Sequence, residues 1–223
     1  MLGVNSRSYD VFSLILINLV IAVFAILRDW SLYEMLSLFW IENLIIGAFN
    51  ILKMAMGKMD LGVKQKDAQL PLGCLRIFLI PFFIIHYFIF CLVHGVFIYR
   101  LFGPEAMEGS VPIFKLIPLP ETGIMDWAIL GLIISHLISF IVNFIGKKEY
   151  KQTTVPQLMF GPYKRIVLIH VFIIACGFLM IQVGGKSFWF MILFFAGKLI
   201  LDLLQHQWSH KRKVTEIGEE FTL

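Results

Sequence analysis

Residues 76–100 read RIFLIPFFIIHYFIFCLVHGVFIYR, and the 23 positions between the two arginines carry no Asp, Glu, Lys or Arg. At 1.5 Å per helical residue such a run extends about 35 Å, enough to cross the roughly 30 Å hydrocarbon core of a bilayer. The same reading applies on either side of it. Apolar runs of spanning length occupy about 10–27, 32–56, 75–102, 124–146, 164–183 and 187–209. The expected fold class is therefore all-α: a polytopic bundle of six transmembrane helices forming a single integral-membrane domain over 1–223. Composition agrees. Hydrophobic residues make up 59% of the 223 positions and charged ones 15%, with a mean hydropathy of +0.83. One soluble core cannot hide that much apolar surface, whereas lipid can solvate it. The runs are continuous rather than alternating, which excludes a transmembrane β-barrel.

The first run, Val11 to Leu27, lacks a small-x-small cleavage site before Arg28 and Asp29, so it is read as a retained helix rather than a secretory signal. Cys74, Cys91 and Cys176 are odd in number and show no CxxC spacing, which points to neither a disulfide framework nor a zinc ribbon. Orientation follows from the basic residues. With the N-terminus inside, Arg7, Lys53, Lys58, Lys64, Lys66, Arg76, Lys147, Lys148, Lys151, Lys164, Arg165, Lys211, Arg212 and Lys213 fall on one side, fourteen against the four of Arg28, Arg100, Lys115 and Lys186. The positive-inside rule then places both termini in the cytoplasm. The 103–123 segment, with Glu105, Glu108, Glu121 and four prolines, reads as an outer interfacial loop.

Ionisable residues inside hydrocarbon cost at least about 2.5–3.5 kcal/mol each on insertion scales and are functional candidates by default. Glu42 lies eleven positions before Lys53, His136 eleven before Lys147, Asp202 eleven before Lys213, and His86 ten after Arg76. Four helices thus bring these side chains to one height, about 15–17 Å above the inner boundary. Two imidazoles and two carboxylates at one depth are a donor set for a divalent transition metal, Zn, Fe or Mn. Glu42, His86, His136 and Asp202 are the expected ligands. Asn43, His170, Lys198 and His206 are expected to orient them or to form a second site. Lys198, Asp202, His206 and His210 recur every four residues, and His136, Ser139 and Asn143 at i, i+3, i+7, so both stripes are expected to face the bundle. The plainer alternative is helix pairing, Glu42 with Lys198 or Asp202 with Lys198. Pro81 should kink its helix, Gly47, Gly131 and Gly177 should allow close helix contact, and His94 reads as a packed histidine. Trp30, Trp40, Trp127, Trp189 and Trp208 read as interface anchors.

These residues support several functions. A metal-dependent membrane enzyme acting on a lipid or apolar substrate would use the metal to activate water, with Glu42 or Asp202 as base where not coordinating. A proton- or ion-coupled transporter or channel would use Glu42, His86, His136, Lys198, Asp202 and His206 as a relay. Bis-histidine haem through His86 and His136 ranks lower, for want of the paired-histidine spacing of b-type cytochromes. A structural or regulatory subunit without catalysis is the fourth. No GxSxG, Walker A, GxGxxG or HExxH sequence is present. The basic loops suit anionic headgroups and the lipid bilayer, not nucleic acid.

His206-Gln-Trp-Ser-His210 resembles the HxxxH element of the progestin-receptor and alkaline-ceramidase group of membrane hydrolases, although those have seven helices. Over most of its length the chain resembles a family of uncharacterised bacterial integral-membrane proteins. That likeness rests on Phe39-Trp40-Ile41-Glu42-Asn43 with Gly47, His86 with His94-Gly95-x-Phe97, Pro162-Tyr163-Lys164-Arg165 before His170, and Lys198 to His206. It implies a multi-pass protein of the bacterial inner membrane and no particular activity.

Overall fold

The computed structural model describes residues 30–58, 72–104 and 124–183, together with Val23, Leu27, Ala196, Gly197, Leu199 and Ile200. The expected spans at 10–27 and 187–209, most of the 103–123 loop, and Lys198, Asp202, His206 and His210 lie outside the described residues. The described chain is helical. Helices α1 (Leu32–Met56), α2 (Leu72–Phe102), α3 (Ile124–Ser139, continued as a π-helix over Phe140–Gly146) and α4 (Val155–Val183) follow one another, with a short 3-10 turn at Glu149–Lys151. Among the described residues, four helices are long and apolar enough to cross a membrane. Contacts divide the chain into two units, 32–167 and 1–31 with 168–223. In the second, Trp30 and Ile173 are buried.

Within 32–167, α1 is the central helix and packs on both α2 and α3. Its burial runs almost unbroken from Met35 to Trp40 and resumes at Glu42, Asn43, Gly47, Asn50 and Met54. Helix α2 is different: Phe83, Tyr87, Cys91, His94 and Ile98 are buried at spacings of three and four, while Phe78, Phe82, Ile85 and Ile89 are exposed. That split is a lipid-facing helix laid against the bundle along one stripe. Met54, Phe83, Tyr87, Cys91, Val155, Met159 and Ile166 form the core cluster.

Three ends meet at one pole. Lys58 N–H donates to Thr153 O (3.0 Å) and Val155 N–H to Lys58 O (2.8 Å), tying the end of α1 to the start of α4. Arg76 donates to Ala55 O (3.1 Å) and Gly57 O (2.5 Å), so the start of α2 satisfies carbonyls left open at the end of α1.

Helix α4 begins at Val155, nine residues before the expected start at 164. Thr154 and Gln157 form a reciprocal cap there: Thr154 N–H donates to Gln157 Oε1 (3.0 Å) and Gln157 N–H to Thr154 Oγ1 (3.4 Å). This is the T-x-x-Q capping box, with Pro156 in the first turn where no helical N–H is required of it. Pro162 inside the helix cannot donate to Leu158 O. Asn50 Nδ2 donates to that carbonyl instead, at 2.9 Å. A helix-breaking residue is thus tolerated because a neighbouring helix supplies the missing donor.

Two smaller expectations are corrected. Trp40 is no interface anchor: it is buried in the middle of α1 and donates from Nε1 to Cys91 O at 2.7 Å. Gly131 meets open space rather than a helix, whereas a Cβ at Gly47 would collide with the Tyr87 ring. His94 is buried in the packed stripe of α2.

Candidate functional site

Tyr87 fixes the α1–α2 contact. Because Gly47 lacks a side chain, the phenol ring lies against α1 there and its O–H donates to Asn43 O at 3.0 Å. This close approach places Glu42, the adjacent residue, next to the α3 and α4 side of α1. The Glu42 side chain is 11% exposed and its two oxygens face different helices. Oε2 meets the Arg165 guanidinium of α4 at 2.6 Å. Oε1 lies 3.9 Å from His136 Nε2 of α3, beyond hydrogen-bond range but within reach of direct electrostatic interaction. The His136 ring stacks on Phe49, about two helical turns below Glu42 on α1, with centroids 6.1 Å apart.

Depth follows from helical rise. Glu42 stands fourteen residues from Met56, His136 ten from Gly146 and Arg165 ten from Val155, which is about 21, 15 and 15 Å from the common pole. The long arginine side chain spans the difference. All three therefore lie in the middle of their helices, where solvating water is scarcest and charge must be paired. An isolated charge there is costly to bury, and pairing carboxylate with guanidinium offsets part of that cost.

Arg165 was missed by sequence reasoning, which counted it with the cytoplasmic basic segment. The capping box at Thr154–Gln157 was the available signal. Once α4 starts at Val155, Lys164 and Arg165 are inside the helix, and the sided count falls to twelve basic residues against four. Lys164 is exposed and Arg165 half-buried.

Of the expected ligands, Glu42 and His136 are brought together. His86 is not with them: it stands on the exposed side of α2, where its Nδ1 pairs with Tyr163 O–H at 2.8 Å. Among the described residues, no three His, Cys, Asp or Glu side chains converge as a metal would require. Asp202, Lys198 and His206 lie outside those residues. Asn43 contributes its backbone carbonyl to Tyr87. His170 belongs to the other unit and is half-buried. Of the α3 stripe, Ser139 is exposed, and Asn143 donates to its Oγ at 3.3 Å. That stripe does not face α1 as a whole, because the polar side chains bond along their own helix.

The arrangement provides a permanently charged donor on one carboxylate oxygen and an imidazole near the other.

Comparison with known proteins adds a family. The model described as "Family of unknown function (DUF6498)" matches residues 2–217. No curated protein and no solved structure matches the chain. This agrees with the likeness to an uncharacterised family drawn from the sequence.

Proposed function

The chain belongs to the DUF6498 family, whose function is unknown, and we propose that it is a proton-coupled transporter or channel of the bacterial inner membrane. In this reading six helices span the bilayer with both termini in the cytoplasm, in keeping with the basic residues that cluster on the side of the common pole. Glu42 is the working carboxylate, Arg165 its fixed counter-charge and His136 its proton-exchanging partner. The observation that carries the reading is the division of Glu42 between Arg165 (2.6 Å) and His136 (3.9 Å) on two different helices.

The physical logic is a competition. Glu42 Oε2 lies against Arg165, while Oε1 stands 3.9 Å from His136 Nε2. Histidine is the residue type that takes up and releases protons near physiological pH. A proton on His136 places a second cation beside Oε1 and draws the carboxylate toward α3. The carboxylate thus becomes a switch between two helices, and the ion or solute moves with the change in their spacing. A ligand or partner can shift such an equilibrium only through its differential affinity for the two arrangements.

A metal-dependent enzyme acting on a lipid or apolar substrate is the second reading, favoured by the adjacency of Glu42 and His136. It requires a cation to take Glu42 from Arg165, and Zn, Fe or Mn would then be retained on purification. Elemental analysis of detergent-purified protein tests it: a stoichiometric metal lost in both Glu42→Gln and His136→Ala would replace the transport reading. Proton flux in proteoliposomes tests the first. Flux dependent on Glu42 and His136 is expected, and flux no greater than in protein-free vesicles would overturn it.

A further inference from the structure

The geometry points to a second site on the bilayer-facing side of α2, where His86 and Tyr163, with the rings of Phe78 and Phe82, bind the planar carbonyl headgroup of a membrane-soluble quinone. The inference rests on the chain spanning a membrane and not on the proton centre at Glu42.

His86 is an exposed imidazole about 15 Å along α2 from Arg76, at the pole where that helix joins α1. Phe82, Ile85 and Ile89 beside it are exposed too, so among the described residues this face is left to the bilayer. Tyr163 O–H sits 2.8 Å from Nδ1. In the tautomer whose Nδ1 accepts a hydrogen bond from the phenol O–H, the ring N–H is at Nε2, and the proposed site uses that tautomer. A hydrogen-bond donor is then presented where no water can satisfy it, and it calls for an acceptor that the membrane itself supplies.

The surroundings narrow the acceptor. Phe78, Phe82 and His86 stack in sequence at i, i+4, i+8, with centroids 6.0 and 5.4 Å apart and planes within 20° and 10° of parallel. Tyr163 closes the other side of the imidazole at 5.4 Å, tilted by 57°. Flat rings and one N–H are a recognition set for a flat conjugated ring bearing a carbonyl. Phospholipid carbonyls stay at the interface, roughly a half-bilayer from this height. A quinone with an isoprenoid tail dissolves in the hydrocarbon and brings its carbonyl there.

A second copy of the chain fits the face poorly. Close association of membrane helices uses small residues, and from Ile77 to Val93 there is no Gly, Ala, Ser or Thr. The exposed Phe78, Phe82, Phe88 and Ile89 hold another backbone at a distance.

The test uses the full chain in phosphatidylethanolamine–phosphatidylglycerol nanodiscs, with decylubiquinone and a short-tailed naphthoquinone as probes and protein-free discs as the partition baseline. Saturable binding of at least one probe is expected. It should weaken about tenfold in His86→Leu and less in Tyr163→Phe, which keeps the ring and removes the hydroxyl. Thermal unfolding of both variants, compared with the unaltered protein, shows that the fold is retained. No saturable binding of either probe, or equal binding in His86→Leu, overturns the proposal. So does a Phe82→Cys variant that forms a disulfide between two copies at high yield, which would assign the face to self-association. Because proton flux is read separately, failure here leaves the Glu42 centre untouched, and loss of flux leaves this site untouched.

Discussion

Glu42 and Arg165 illustrate what one pair of side chains contributes when both are largely withdrawn from the surface. Removing one partner leaves an uncompensated charge, whereas removing both leaves a gap that apolar packing partly fills. Glu42→Gln should therefore lower unfolding stability in mild detergent by about 3–5 kcal/mol, and Glu42→Gln with Arg165→Gln should cost less than that single change. A double-variant loss equal to the sum of the two single losses would mean the pair is not coupled. Gly47→Leu belongs to the same scale: the new side chain occupies the space of the Tyr87 ring, which must leave its bond to Asn43 O. A loss of about 1–3 kcal/mol is expected by thermal melt, with Tyr87→Phe, which only removes the hydroxyl, at about 0.5–1.5 kcal/mol. Glu42 and His136 were legible in the sequence because an acid and an imidazole in apolar runs stand out without any structure. Arg165 was not, since a Lys-Arg pair after a basic loop looks like a membrane boundary. His86 was misplaced for another reason: counting residues gives height along a helix but not the direction a side chain faces, and only the packing of Phe83 and Tyr87 inward turns His86 outward.

The helices carry the next lesson. Hydrophobic length found α1 at Leu32–Met56 and the end of α2 at Phe102, because the charged residues flanking them coincide with real ends. It failed at the start of α4, where Pro156, Gly161 and Pro162 mimic a loop. Those residues are compatible with helix only through specific partners: the Thr154–Gln157 cap and the Asn50 side chain on Leu158 O. Thr154→Ala should cost about 0.5–2 kcal/mol of stability. Asn50→Leu strands a part-buried carbonyl, at about 1–3 kcal/mol. The cost of Asn50→Leu should fall in a Pro162→Ala background, since alanine restores the backbone donor to Leu158 O. An unchanged cost would show that Asn50 stabilises the helix pair in some other way.

At the scale of the whole molecule, the account joins one polar centre to a membrane bundle. Lipid-facing exposure of α2 and α3, with apolar residues such as Ile85, Phe88, Ile134 and Ile138 turned outward, fits a chain whose outside is as apolar as its inside. The membrane class was legible from composition alone; which polar side chains meet was not, because that depends on helix rotation set by contacts such as Tyr87 against Gly47. Reporter fusions at the two ends should both read as cytoplasmic, and an external reading at either would remove the six-span topology. The central claim is that Glu42, divided between Arg165 and His136, moves protons. It is tested most directly by proton uptake into proteoliposomes under an imposed potential, followed with an internal pH dye. The account predicts flux that is lost in Glu42→Gln and His136→Gln and kept in His86→Leu. Uptake equal to that of empty vesicles, or undiminished in Glu42→Gln, would contradict it.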